Sequence, residues 1–444
     1  MASTTRTINT ESALTTEQIA QMREEYLLPS TMRYFQGTPN IVRGEMQYVY
    51  DDQGKKYLDG FSAVVTISVG HCHPDVTNPV IEQMKTLQHM TTLYYHPNIV
   101  KYAKKLAEVM PGGLKVSFFT NSGCEANELA ALLAKNYTKN TEFVALRHSF
   151  HGRTLMAMTM TGQSLWRHSL PYVFGVLHAS PGYCYRCPFA LKYPDCKIAC
   201  AREIEDMIKY GTSGKIAAFI AEPIQGFGGV IDPPKEYFEI AYDIVKRYGG
   251  LFISDEVQTG FGRTGDTFWG IEQWGVKPDM ITMAKGMGNG VPLGGVTCTK
   301  DIAESMRGKV HFNTYGGNPV SMAAGLAVLN TIEKYDYQRN AKVQGGKLLT
   351  AFHEMKYRHK IVGDVRGKGL MLGIEIVKDK TNKEVAPQET LKIMELCKDR
   401  GLLVGKGGMA GNTIRIKPPL CITNDDVQFI TKILDEVFGI VGKA

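Results

Sequence analysis

The chain has 444 residues, 51 basic against 44 acidic, for a net charge of +7. That length predicts two or three domains and excludes a small disulfide-stapled scaffold. With 43% hydrophobic and 21% charged residues it reads as a soluble globular protein. No apolar run reaches the eighteen or so residues of a membrane span, and basic pairs such as Lys55-Lys56 are scattered, without the patch a nucleic-acid surface needs. Glycine is the anomaly: the 46 residues exceed the roughly 7% average by about fifteen.

The first eighteen residues are rich in Ser and Thr and lack a secretory apolar stretch, and Glu11 and Glu17 weigh against an acid-poor transit peptide. The expectation is a cytoplasmic protein in which residues 1–40 form a loose N-terminal arm. Nine cysteines, odd in number and sparse, fit a reducing compartment. Residues 46–59, M-Q-Y-V-Y-D-D-Q-G-K-K-Y-L-D, carry a hairpin signal at Asp51 to Gly54.

From about residue 115 to 300, short apolar runs alternate with turns and amphipathic segments, the pattern of an α/β fold. The runs at 115–119, 142–146, 216–221, 251–254, 280–283 and 295–297 suit strands buried on both faces of a mostly parallel sheet. Segments 125–135 and 235–248 read as covering helices. Beyond Met322 come one long helix, a β-rich stretch through V-G-D-V-R-G-K-G-L-M-L-G-I-E-I and a closing helix after Asn424. The expected division is an arm (1–40), a large domain (76–325) and a smaller α+β domain assembled from both ends, 41–75 and 326–444.

The unusual polar residues follow the strands directly, at the edge where open α/β sheets bind ligands. After the first run, T-N-S-G-C-E-A-N opens a helix whose free amides suit an anion, although a glycine turn also occurs as plain punctuation. Phe150 and His151 follow the second run, and Phe150 either stacks on a planar ligand or joins the core. Glu222 follows the third. Asp255 follows the fourth and either meets a buried cation or caps the next turn. Lys285 follows the fifth, ringed by glycines; burial would lower its pKa and make it a nucleophile toward an aldehyde. A lysine, a carboxylate, an anion-binding helix start and an aromatic at one edge are the set that pyridoxal 5'-phosphate uses.

The chain resembles the class III, fold type I, pyridoxal-phosphate aminotransferases, most closely their alanine-glyoxylate aminotransferase 2 type. The resemblance runs from about Met46 to Asp425. It is carried by V-G-H-C-H-P (69–74), N-S-G-C-E-A-N (121–127), A-E-P-I-Q-G (221–226), D-E-V-Q-T-G-F-G-R (255–263), M-A-K-G-M-G-N-G (283–290), F-N-T-Y-G-G-N-P (312–319) and G-D-V-R-G-K-G-L-M (363–371).

The resemblance implies that Lys285 forms the Schiff base and then moves the proton at Cα. Asp255 pairs with the pyridine nitrogen, Gln258 approaches the phenolic oxygen, and Val257 packs behind the ring opposite Phe150. Ser122, Gly123 and Cys124 hold the phosphate, with Thr314 contributed across a homodimer interface, alone or in a dimer of dimers. Arg415 binds the substrate carboxylate, and Glu222 helps it accept substrates of different length. Cys124 departs from the usual serine or threonine, and Phe150 from a frequent tyrosine. The implied reaction carries an amino group from a donor such as alanine to glyoxylate or pyruvate. Alternatives are an ω-aminotransferase for β-alanine, 4-aminobutyrate or amines, a racemase on the same scaffold, and a non-catalytic binding protein. Cys184, Cys187, Cys196 and Cys200 match a tetrahedral metal site imperfectly and are read as an ordinary loop, with no metal.

Overall fold

A computed structural model describes residues 14–168 and 172–443. In its described part, the arm expected to be loose carries a helix, Thr16–Tyr26, closed by a Thr15 capping box and without a buried residue. The hairpin signal at Asp51 to Gly54 is realised. β1 (Ile41–Glu45), β2 (Tyr48–Asp51) and β3 (Lys56–Asp59) pair antiparallel in that order.

All six expected apolar runs form strands: β4 (Val116–Thr120), β5 (Phe143–Leu146), β7 (Ala218–Ala221), β8 (Leu251–Asp255), β9 (Met280–Met283) and β10 (Gly294–Cys298). Sequence reading missed β6 (Val176–Ala179), a half-buried edge strand interrupted by His178. The seven form one sheet in the order β4-β10-β9-β8-β7-β5-β6. β6, β5, β7, β8 and β9 pair in parallel, while β10 runs antiparallel between β9 and β4. Five of these strands are buried along their whole length, as continuous apolar runs require. The helices Gly123–Thr138 and Tyr237–Arg247 cover the sheet near the expected positions.

The C-terminal region builds β11 (Val362–Lys368), β12 (Met371–Asp379), β13 (Glu384–Val385), β14 (Leu402–Leu403), β15 (Gly405–Gly407) and β16 (Thr413–Ile416). β11, β12, β16 and β15 form one sheet with β13 on β12, and β14 adds parallel to β3. The two ends of the chain therefore share structure, as the α+β reading requires. One expectation is corrected: the single long helix beyond Met322 is two, Pro319–Lys334 and Tyr337–Arg358. Asp336, at φ +51°, breaks it, because left-handed backbone cannot continue a right-handed helix.

The four loop cysteines line one cavity of about 20 Å³ as free thiols. Burial pushes the Cys184 thiol up to about 11 and Cys200 up to about 12. Among the described residues, no three His, Cys, Asp or Glu side chains are placed to hold a metal ion.

Asp426 joins the ends of the chain. It sits in the first turn of the closing helix, where a carboxylate suits the helix dipole. Buried there, it accepts from Gln47 Nε2 at 2.7 Å, the Thr423 amide at 2.7 Å and the Tyr48 hydroxyl. Asp426→Ala orphans these donors and is expected to cost about 2–3 kcal/mol. A urea titration checks this, and an unmoved midpoint would contradict it.

Candidate active site

The strand ends of β5, β7, β8 and β9 open onto a cavity of about 480 Å³. Its wall contains Ser122, Gly123, Cys124, Phe150, Glu222, Asp255, Val257, Gln258 and Lys285. Arg415 and Thr314 lie off that wall: Arg415 is wholly buried and Thr314 sits in an exposed loop.

Asp255 ends β8 and is buried. Of the two alternatives for it, it holds the next turn, and in place of a lysine or arginine it meets an amide and an imidazole. One oxygen accepts from the Val257 amide at 3.1 Å, the other from Asn127 Nδ2 at 2.9 Å and His151 Nδ1 at 2.7 Å. Sequence reading placed His151 at this edge without a role and missed Asn127, which lies one helical turn beyond Gly123. The neighbouring Glu256 serves the fold instead, accepting from the Gly270 and Ile271 amides at 2.9 Å each.

Lys285 follows β9 in left-handed backbone, φ +47°, a strain that non-glycine residues bear where surrounding structure imposes it. Burial lowers its pKa, partly offset by Asp255 and Glu222. Glu222 accepts from the amides of Phe150 at 3.0 Å and Gly226 at 2.8 Å, and burial raises its pKa.

At the end of β4, Ser122 caps the helix Gly123–Thr138, accepting from the Glu125 amide at 3.2 Å. A Cβ at Gly123 would meet Val257 Cγ2 at 3.0 Å, so glycine keeps this turn against the cavity floor. Cys124 Sγ, the departure from Ser/Thr, accepts the Arg153 amide at 2.7 Å and the Thr154 amide at 3.3 Å. Asn313, beside Thr314, is tied to this helix start through Glu125 at 3.0 Å.

An aromatic belt, unread in the sequence, links the cavity to Arg415. Phe150 packs edge-on against Trp166 at 4.9 Å, and Trp166 against Phe227 at 4.7 Å. The Arg415 guanidinium lies over Phe227 at 4.8 Å and Phe61 at 4.7 Å, and donates to the Tyr34 hydroxyl at 3.1 Å. Its Nε is buried without a partner among the described residues.

The donor set fits pyridoxal phosphate. A helix start with free amides suits the phosphate, Phe150 and Val257 offer apolar cover for a ring, and Asp255 offers a carboxylate held from behind. His151 Nε2 and Asn127 Oδ1 are buried without partners among the described residues, as in a site shaped for a further group. His151→Phe removes a donor from Asp255 at similar volume and is expected to weaken cofactor affinity roughly tenfold or more. Titration of the cofactor-free protein measures this, and unchanged affinity would show that Asp255 does not rely on His151.

The model of the family described as aminotransferase class III matches residues 33–438. The alanine–glyoxylate aminotransferase 2 homolog 2 of Arabidopsis thaliana, a mitochondrial protein, is 49% identical, over 94% of this chain and 86% of its own. The human mitochondrial alanine–glyoxylate aminotransferase 2 is 40% identical, over 94% and 85%. Among solved structures, an amine transaminase from an uncultivated Pseudomonas species, with pyridoxal phosphate bound, superposes with a TM-score of 0.87 at 31% identity, over 94% of this chain and 98% of that one. The mitochondrial relatives overturn the cytoplasmic expectation. Glu11 and Glu17 argued only against one style of leader, and two carboxylates in a short segment do not determine where a protein resides. The chain belongs to the class III aminotransferases, enzymes whose cofactor is pyridoxal phosphate.

Proposed function

We propose that this enzyme transfers the amino group of a small α-amino acid such as alanine to a 2-oxo acid such as glyoxylate or pyruvate, in two half-reactions at one site. The observation that carries the reading is a half-buried lysine, Lys285, and a buried carboxylate, Asp255, on one cavity wall, with a buried arginine, Arg415, behind it. The small-donor assignment draws on the relatives named for alanine and glyoxylate.

Pyridoxal phosphate, when bound, supplies a carbonyl carbon that takes up amines and a ring that draws off the electron pair left on Cα. The protein does the rest. Lys285, its amine made less basic by burial, anchors the cofactor and then removes and returns the proton at Cα. Asp255, held by His151 and Asn127, keeps the pyridine nitrogen protonated. Gln258 would donate to the phenolic oxygen, and Phe150 and Val257 would cover the two faces of the ring. Ser122, Gly123 and Cys124 receive the phosphate, the first by its hydroxyl and the others by their amides. Arg415 fixes the substrate carboxylate through paired N–H groups.

A homodimer, alone or paired again, would bring Thr314 of a second subunit to the phosphate. Exposed apolar side chains in that loop support this: Val310 is 98% exposed and Tyr315 63%. A second reading, ω-amino donors such as β-alanine, 4-aminobutyrate or simple amines, is favoured by Glu222, a buried carboxylate whose charge acts on Arg415 and would offset it when a donor brings no α-carboxylate.

Lys285→Ala is expected to lose the visible cofactor band and to lower turnover by ~10³-fold or more. Retained turnover would sink the mechanism. In a donor panel, Arg415→Met is expected to raise KM for alanine by roughly 10- to 100-fold while sparing amines that lack a carboxylate. Equal losses for both donor classes would remove Arg415 as the carboxylate site.

A further inference from the structure

Alternation along β16 puts Thr413 and Arg415 on one face, and Lys417 follows directly after the strand's end at Ile416. Lys417 is wholly buried. The charges acting on it are mostly like its own: Arg415, Lys285 and Arg263, against the carboxylate of Glu222. A lysine in that company is costly to retain, and what it touches indicates its use. Nζ donates to Gln258 Oε1 at 2.9 Å and to the Gly226 carbonyl at 3.4 Å.

Both contacts are carbonyl oxygens, so the amine is a donor toward each in either protonation state. The Gln258 amide is therefore held with its oxygen toward Lys417. Its Nε2, on the other arm of the amide, is thus left for a group other than Lys417, and Gln258 itself lines the cavity. Gly226 leaves room for this pose, since a Cβ there would come within 2.3 Å of Gln258 Oε1.

We propose that Lys417 is a positioning residue that locks the Gln258 amide so that its NH₂ group, not its oxygen, faces the phenolic oxygen of the bound cofactor. The inference rests on the assignment of Gln258 to that oxygen under Proposed function. A donor there stabilises negative charge on the phenolic oxygen. That charge is uncovered when the proton shared with the Lys285 nitrogen leaves, so the donor lowers the pH at which the visible band titrates. An amide free to rotate loses this effect or reverses it.

The test is a spectrophotometric pH titration of the cofactor-loaded wild type, Lys417→Met, Gln258→Leu and the double variant. Lys417→Met and Gln258→Leu are each expected to raise the midpoint by about one pH unit, the size of one hydrogen bond to a charged group. The double variant is expected to go no further, because the two residues act through one contact. Lys417→Gln, which keeps a donor but no charge, is expected to stay near the wild-type midpoint, and it serves also if the methionine variant fails to fold. Two results overturn the proposal: an equal Lys417→Met shift in the wild-type and Gln258→Leu backgrounds, which makes Lys417 a charge only, or no shift in the wild-type background. A wild type without a visible band would instead defeat the cofactor reading beneath it, a distinguishable failure.

Discussion

A carboxylate at the end of a wholly buried strand is the constraint around which this site is arranged. An unpartnered carboxylate in so poorly solvating a place is costly. The oxygens of Asp255 are satisfied instead from three places: its own turn at Val257, the loop after β5 at His151, and the helix after β4 at Asn127. Those contacts tie the ends of three strands that are not adjacent in the sheet, β8, β5 and β4, into one wall. The same helix offers its free start, through Ser122 and Gly123, to the other end of the cavity. Fixing one anion thus sets the distance between the carboxylate proposed to meet the ring nitrogen and the helix start proposed to hold the phosphate.

The charges around the cavity do not cancel. Half-buried Lys285 and buried Arg415, Lys417 and Arg263 lie nearby, against Glu222 and Asp255 and, beside Arg263, Asp59. A surplus of desolvated cations is unfavourable in the empty protein and favourable once anions arrive. A phosphorylated cofactor and a carboxylate substrate bring that charge. Burial lowers the pKa of all four cations, which marks the cost of holding them there. In the role proposed for Lys285 the same cost is useful, since moving the proton at Cα needs a neutral amine.

Much of this was readable in the sequence, for physical reasons. A strand buried on both faces writes itself as a continuous apolar run, and a functional group at its end interrupts that run abruptly, as Glu222, Asp255 and Lys285 do. Contacts made by residues far apart in the chain leave no such mark. Tyr34 and Arg415, or Asn127 and Asp255, meet only through the fold. Lys417 was within reach, because it stands two residues after Arg415, but a lysine after a strand usually reads as surface. The break at Asp336 was hidden by flanking residues that all suit a helix. The glycine excess has two uses. Residues 222–317 hold 18 glycines where the average would give about seven. Gly226 makes room at the site, whereas Gly262 and Gly265 let the backbone approach Gln338 and Lys342 on the helix Tyr337–Arg358.

The central claim is that Lys285 is the residue joined to the cofactor. Borohydride reduction of the cofactor-loaded protein, followed by peptide mass mapping, tests it directly. The account predicts one pyridoxyl adduct per chain, on Lys285. An adduct on another lysine, such as the neighbouring Lys417, or on none, would contradict it.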